Sequence, residues 1–164
     1  MNHSKAIEDF WKEFCRKNSD VDPESPYDVW YFGDSRELCE LVLKGVKKAT
    51  ASLVWEYEDK PDQAPKLNDY SVVTDFDGNP KCVLQTTEIR VLPFNEVDAD
   101  FAADEGEGDM SLESWREGHW TYFSRKCVEL GKELSLTMPV ICERFRMIYP
   151  SYFKCSYGAS KIRH

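Results

Sequence analysis

The chain has 164 residues, 31% charged and 13% aromatic, with a formal net charge of -9. That length suits one domain with a sizeable hydrophobic core. The acidic balance argues against double-stranded DNA as a partner, because duplex binding depends on phosphate neutralisation, and no apolar run approaches the ~20 residues of a membrane span.

In chain order, residues 4–17 predict a helix, with Ser4 as its cap and Ile7, Phe10, Trp11 and Phe14 on one apolar face. Residues 1–20 thus read as an N-terminal helical extension. Asn18 to Pro26 is a turn-rich connector, and Val29 to Asp34 is a short aromatic strand. Asp34 or Ser35 caps a second helix with Leu38, Leu41 and Val42 on its apolar face, ending near Gly45. Residues 49–57 alternate as a strand does. A polar loop follows, holding Pro61 and Pro65.

Tyr70 to Asp75 predicts a strand, Asp77-Gly78 a two-residue hairpin, and Lys81 to Leu92 the returning strand. Pro93 to Ala103 predicts a short helix carrying Phe94, Val97 and Phe101. An acidic loop, Glu105 to Asp109, then enters a helix with a stripe of Leu112, Trp115, His119, Tyr122, Phe123 and Leu130. Thr137 to Tyr149 is the last strand, with Pro139 at its start or on an edge. Residues 151–164 form a basic tail with Lys154, Lys161 and Arg163. These elements give an α+β class: a small β-barrel or curled mixed sheet with flanking helices.

The six cysteines show no C-x-x-C spacing, and His3, His119 and His164 are scattered. No metal site and no cofactor is expected from such a set. Cys39, Cys82 and Cys142 lie in apolar runs and read as small buried hydrophobes. With no signal-peptide pattern at the N-terminus, a reducing, cytoplasmic location is expected.

Two polar clusters carry the chemistry. In the first, Glu105, Glu107 and Asp109 alternate with Gly106 and Gly108. Clustered carboxylates repel one another unless a cation, a substrate or backbone donors use them; otherwise they face water. The second runs from Lys44 to Ser52 and contains Lys47, Lys48 and Thr50. Lys47 and Thr50 on one cleft edge would form an amine–hydroxyl pair able to activate a nucleophile. Lys48 and burial would lower the Lys47 pKa, and a nearby carboxylate would raise it. Alternatively both lysines are solvated and Thr50 is an ordinary strand residue.

Arg116 sits in a first helical turn, where its charge opposes the helix dipole and calls for a partner. A brace to Glu107 or Asp109 is the structural reading, and a phosphate contact the functional one. His119 is either a hydrogen-bonded core residue or an acid–base group. Among the rings, Trp55 or Tyr57 is the best stacking platform for a base, worth ~1–3 kcal/mol per base.

The order Gly45-x-Lys47-x-Ala49-Thr50, the Asn68-Asp69 turn, a hairpin strand, and Glu105-Gly106-Glu107-Gly108-Asp109-x-Ser111-Leu112-x-x-Trp115-Arg116-x-x-His119 resembles the ASCH domain family. The resemblance implies a PUA-like domain over 27–150 and a cleft for RNA, a nucleotide or a modified nucleoside. It also implies hydrolysis, either as a ribonuclease or as an amidohydrolase of N4-acetylcytidine. Carried over residue by residue, Lys47 and Thr50 match the catalytic pattern. The acid is Glu105 or Glu107, because the loop differs in length from the family's. Lys48, Ser52, Trp55, Tyr57, Asp109, Trp115, Arg116 and His119 are then the candidate substrate contacts. The alternative is a non-catalytic module that binds RNA, a nucleotide or a protein. The oligomeric state stays open.

Overall fold

A computed structural model describes residues 4–31 and 36–150. The first helix, α1, spans Lys5–Lys17, and the Ser4 side chain accepts the Ile7 N–H as its cap. The strands are β1 (Tyr27–Tyr31), β2 (Ala49–Leu53), β3 (Tyr70–Thr74), β4 (Pro80–Pro93) and β5 (Pro139–Tyr149). The remaining helices are α2 (Arg36–Leu43), α3 (Ala99–Glu105) and α4 (Leu112–Leu130). The expected caps at Asp34 and Ser35, the end of the first expected strand and the basic tail lie outside the described residues.

The sheet has five strands in the order β1-β3-β4-β5-β2, with β1 parallel to β3 and every other pair antiparallel. The long central pair β4–β5 shifts register at Val83/Leu84 and at Thr86/Glu88. Such irregularities increase local twist and curl a sheet. The expected curled mixed sheet with flanking helices is therefore borne out.

Alternation along β3 divides the core. Val72 packs with Ile7, Trp11 and Phe14 of α1, whereas Val73 packs with Cys39 and Val42 of α2. A third cluster joins α3 and α4 to the sheet through Leu53, Phe101, Trp115, Phe123 and Val140. Full burial of each such apolar side chain stabilises by about 1.5–3 kcal/mol. Cys39, Cys82 and Cys142 are buried free thiols, as their apolar surroundings suggested.

Three boundaries differ from expectation. The strand over 49–57 stops at Leu53, its last pairing before Pro139, which lacks an N–H. Residues Val54–Tyr57 then form a 3-10 turn, in which the Glu56 carboxylate accepts the Leu53 N–H at 2.8 Å. The helix expected over 93–103 begins only at Ala99. β4 continues to Pro93, Phe94–Glu96 make a short 3-10 turn, and the Asp98 side chain caps α3 through the Phe101 N–H at 2.8 Å. The Asp77-Gly78 hairpin exists, but its loop is five residues, 75–79. The Asp75 carboxylate organises it by accepting from the backbone of Asp77 and Asn79.

Candidate functional site

Lys47 owes its position to the way α2 ends. Gly45 turns the chain at φ +71°, and the N–H groups of Val46 and Lys47 both donate to the Leu41 carbonyl. Lys48 is then fixed through its backbone, its N–H donating to the Asp104 carbonyl and its carbonyl accepting the Phe145 N–H. This leaves the Lys47 side chain pointing inward, with the residue 2% exposed.

The carboxylates meet it from α3. Glu105 is the last residue of that helix and 1% exposed, so it does not belong to an exposed flexible loop as the sequence suggested. The next residue, Gly106, is the left-handed cap at φ +69°. A Cβ there would lie 2.6 Å from the Val46 carbonyl oxygen, so only glycine lets α3 approach the Lys47 segment this closely. Across that contact, Lys47 Nζ lies 3.3 Å from Glu105 Oε2 and 2.6 Å from Glu107 Oε1. Glu107 is the outer member of the pair, with 38% of its side chain exposed.

His119 closes the other side of Glu105. Its Nε2 lies 3.3 Å from Glu105 Oε1, and Nδ1 is 2.9 Å from the Trp115 carbonyl. Its ring stacks on Trp115, with centroids 4.1 Å apart and planes tilted by 16°. His119 thus joins the expected core role, hydrogen bonding and stacking, to a place beside the carboxylates. Glu105 Oε1 is buried with the His119 ring nitrogen beside it, and Trp115 Nε1 is buried in the same cluster. Burial works to raise the Glu105 carboxyl, but the His119 hydrogen bond and the Lys47 charge overcome it and hold the group below its ordinary range.

Lys47, Thr50, Glu105, Glu107, Trp115 and His119 all line one cavity of about 500 Å³. Ammonium, hydroxyl and carboxylates therefore do share a hollow, which lies within the usual range for a small-molecule site.

Other expected contacts lie elsewhere. Lys48 turns outward to Asp104 at 3.2 Å and does not line the cavity. Arg116 donates to the Asn95 carbonyl at 3.2 Å and does not brace the acidic loop. Lys47 is the cation Glu107 uses instead. Asp109 accepts the Ser111 N–H at 2.8 Å and shapes the entry to α4. Trp55 packs on the core with Lys132 Nζ 5.7 Å from its ring centre, and the chain turn at Leu53 keeps it out of the cavity.

Ser52 and Tyr57 line a second hollow of about 330 Å³, where the Tyr57 hydroxyl donates to Ser52 Oγ at 3.3 Å. The two hollows share Tyr31, Thr50, Ala51 and Tyr122, so they lie side by side and together make up a groove along this face. Sequence reasoning missed the group at its far end. Glu143 stands opposite Thr50 in the β2–β5 register, and cross-strand partners share a face. It is 4% exposed, and its Oε1 accepts the Thr86 hydroxyl at 2.6 Å. Burial pushes its carboxyl up to about 7, with the charges of Asp69 and Asp28 adding to the effect against the Thr86 hydrogen bond. A glutamate directly after the apolar run Val140-Ile141-Cys142, within a predicted strand, was the available signal.

A curled mixed sheet with a polar cavity between its edge strand and the flanking helices defines a PUA-like domain. The chain belongs to the ASCH domain family, whose model matches residues 28–149. It is similar to the crystal structure of an ASCH domain from Lactobacillus crispatus, at 33% identity and TM-score 0.79, over 90% of this chain and 96% of that one. It is also similar to an Enterococcus faecalis protein structure, at 30% identity and TM-score 0.78, over 98% of each chain. No curated protein matches the sequence. The ASCH domain is a PUA-like fold associated with RNA binding. No described helix is long and apolar enough to cross a membrane.

Proposed function

We propose that this ASCH-domain protein hydrolyses an acylated or otherwise modified nucleoside in the Lys47 cavity. The observation that carries the reading is a buried ammonium held by two carboxylates on the wall of a nucleoside-sized hollow that also contains a hydroxyl.

The charge balance assigns the roles. With Glu105 and Glu107 both in contact, Lys47 acts as the proton donor rather than the base. Glu107, the outer carboxylate, takes the proton as the Thr50 hydroxyl, or a water it orients, attacks the acyl carbon. The C–N bond breaks, Lys47 Nζ gives its proton to the leaving amine, and Glu107 returns one to Lys47. Glu105, anchored by His119, keeps the ammonium in place throughout. Water then releases the acyl group from Thr50 if the hydroxyl was the nucleophile.

The same balance supports a second reading, a non-catalytic pocket for a nucleotide or RNA, since a fully compensated lysine is also a sound structural element. A hydrolysis screen of acylated cytidines and short RNAs separates the two. Turnover of an acylated cytidine that falls at least a hundredfold in Thr50→Val, with ligand binding retained, is the expected result. Thr50 is half-buried on an edge strand, so this variant tests chemistry without the folding risk of removing Lys47. Undiminished turnover in Thr50→Val, or none in the wild type, overturns the hydrolase reading.

A further inference from the structure

The second hollow is chemically unlike the first. Its lining includes Asp28, Glu56, Asp69 and Glu143 and no lysine, arginine or histidine. In the first hollow Lys47 is already matched by two glutamates. Along the whole groove, then, no described cation is left over for a phosphate, and the field repels anions.

Within that anionic hollow Glu143 is buried, and burial together with the charges of Asp69 and Asp28 raises its carboxyl to about 7, so that it keeps its proton on the acid side of neutrality. One oxygen is taken by the Thr86 hydroxyl, and no other described hydrogen bond or ion pair involves its carboxyl. A protonated carboxyl is a donor and an acceptor side by side, which is the complement of a ring nitrogen next to an exocyclic amine. A carboxylate at the same place offers acceptors only. Groups of this kind, neutral acids kept protonated by an apolar or anionic setting, serve as hydrogen-bond donors to a bound ligand.

We propose that the hollow around Glu143 is a second subsite that reads the polar edge of a base, with Glu143 donating its proton to a ring acceptor, and that the groove takes a nucleoside without phosphate. This rests on the reading that the groove binds a nucleoside, and it adds which residue recognises the base and which ligands are refused. Ser52 and Tyr57, expected as substrate contacts, stand beside this base rather than at the reacting end.

The titration that matters is Glu143's own. The charged and titratable groups facing it are Asp28 and Tyr31 from β1, Asp69 ahead of β3, Glu56 and Tyr57 from the 3-10 turn after β2, and Tyr122 from α4. All are acids or phenols, so none supplies a compensating positive charge. At the other end of the groove stand Lys47, Glu105, Glu107 and His119, whose contributions remain when Glu143 is replaced.

The test is calorimetric titration of the full chain with cytidine and with cytidine 5′-monophosphate, at pH 6 and pH 8. Wild type should bind cytidine about tenfold more weakly at pH 8 than at pH 6, because the competent protonated fraction falls by that factor. Glu143→Gln, whose amide donates permanently, should bind equally at both pH values and within about threefold of the wild type at pH 6. Cytidine 5′-monophosphate should bind the wild type at least tenfold more weakly than cytidine, an arm that needs no variant. Equal affinity for nucleoside and nucleotide, no cytidine binding, or an unchanged pH dependence in Glu143→Gln overturns the proposal. If the wild type binds cytidine in this way but hydrolyses no acylated cytidine, the hydrolase reading falls and the subsite stands. If it hydrolyses acylated cytidine while Glu143→Gln matches it in affinity and pH profile, the subsite falls and the hydrolase reading stands.

Discussion

The groove has a buried glutamate at each end, and the two behave in opposite ways. Glu105 and Glu143 are 1% and 4% exposed, so desolvation works to raise both carboxyls. Glu105 meets Lys47 and His119 and is held below its ordinary range. Among the described residues Glu143 meets a hydroxyl and neighbouring acids, and it rises to about 7. Burial sets the cost of ionisation, and the partner decides whether that cost is met. One end of the groove is therefore a charge-balanced cluster, and the other a carboxyl shifted toward its protonated form.

The hardest way to break this contrast is to remove the cation. Lys47→Met leaves Glu105 and Glu107 facing each other with one of them buried, and should cost about 3–5 kcal/mol by urea unfolding at pH 7. Adding Glu105→Gln should recover part of that loss. If the double variant is as unstable as the sum of the two single ones, the ion pair does not couple these positions.

The opposite end is tested by pH. The folded pKa of Glu143, about 7, lies above its ordinary 4.5, so the folded chain keeps a proton that the unfolded chain releases. Its contribution is complete below pH 4.5 and is lost as pH rises through 7, a loss of about 3 kcal/mol. Glu105, shifted downward, contributes above pH 4.5 and loses that contribution as pH falls. Unfolding free energies of wild type and Glu143→Gln, measured from pH 4.5 to 8, should diverge in slope across the first window. Parallel curves would show that Glu143 titrates normally.

Gly106→Ala sharpens the comparison by disturbing one end alone. The added Cβ meets the Val46 carbonyl at 2.6 Å in a left-handed backbone conformation, so about 1–3 kcal/mol of stability should be lost. The stability slope due to Glu143 should survive in that variant. The smallest effect belongs to Arg116→Ala. Arg116 is exposed and among the described residues reaches the Asn95 carbonyl alone, so stability should change by less than about 0.5 kcal/mol and turnover should not change. A large loss of activity there would restore the ligand contact that its position in the helix first suggested.

Local signals carried much of the architecture. The Ser4 cap and the spacing of Ile7, Trp11 and Phe14 determined α1, and the punctuation around residues 75–79 determined the β3–β4 hairpin. The motif running from Lys47 to His119 was enough to indicate the family and to name both glutamates that reach the lysine. Such features are legible because each is satisfied within a few residues of itself, or forms a motif of fixed order along the chain.

Tertiary structure alone decided how charges were partnered. Glu105 and Glu107 lie 58 and 60 positions from Lys47, and Thr86 lies 57 from Glu143. Arg116, close in sequence to the acidic loop, went to Asn95 instead. A sequence specifies that a carboxylate exists. Whether it ionises depends on which cation the folded sheet and helices bring within a few ångströms, and on how much water they leave beside it.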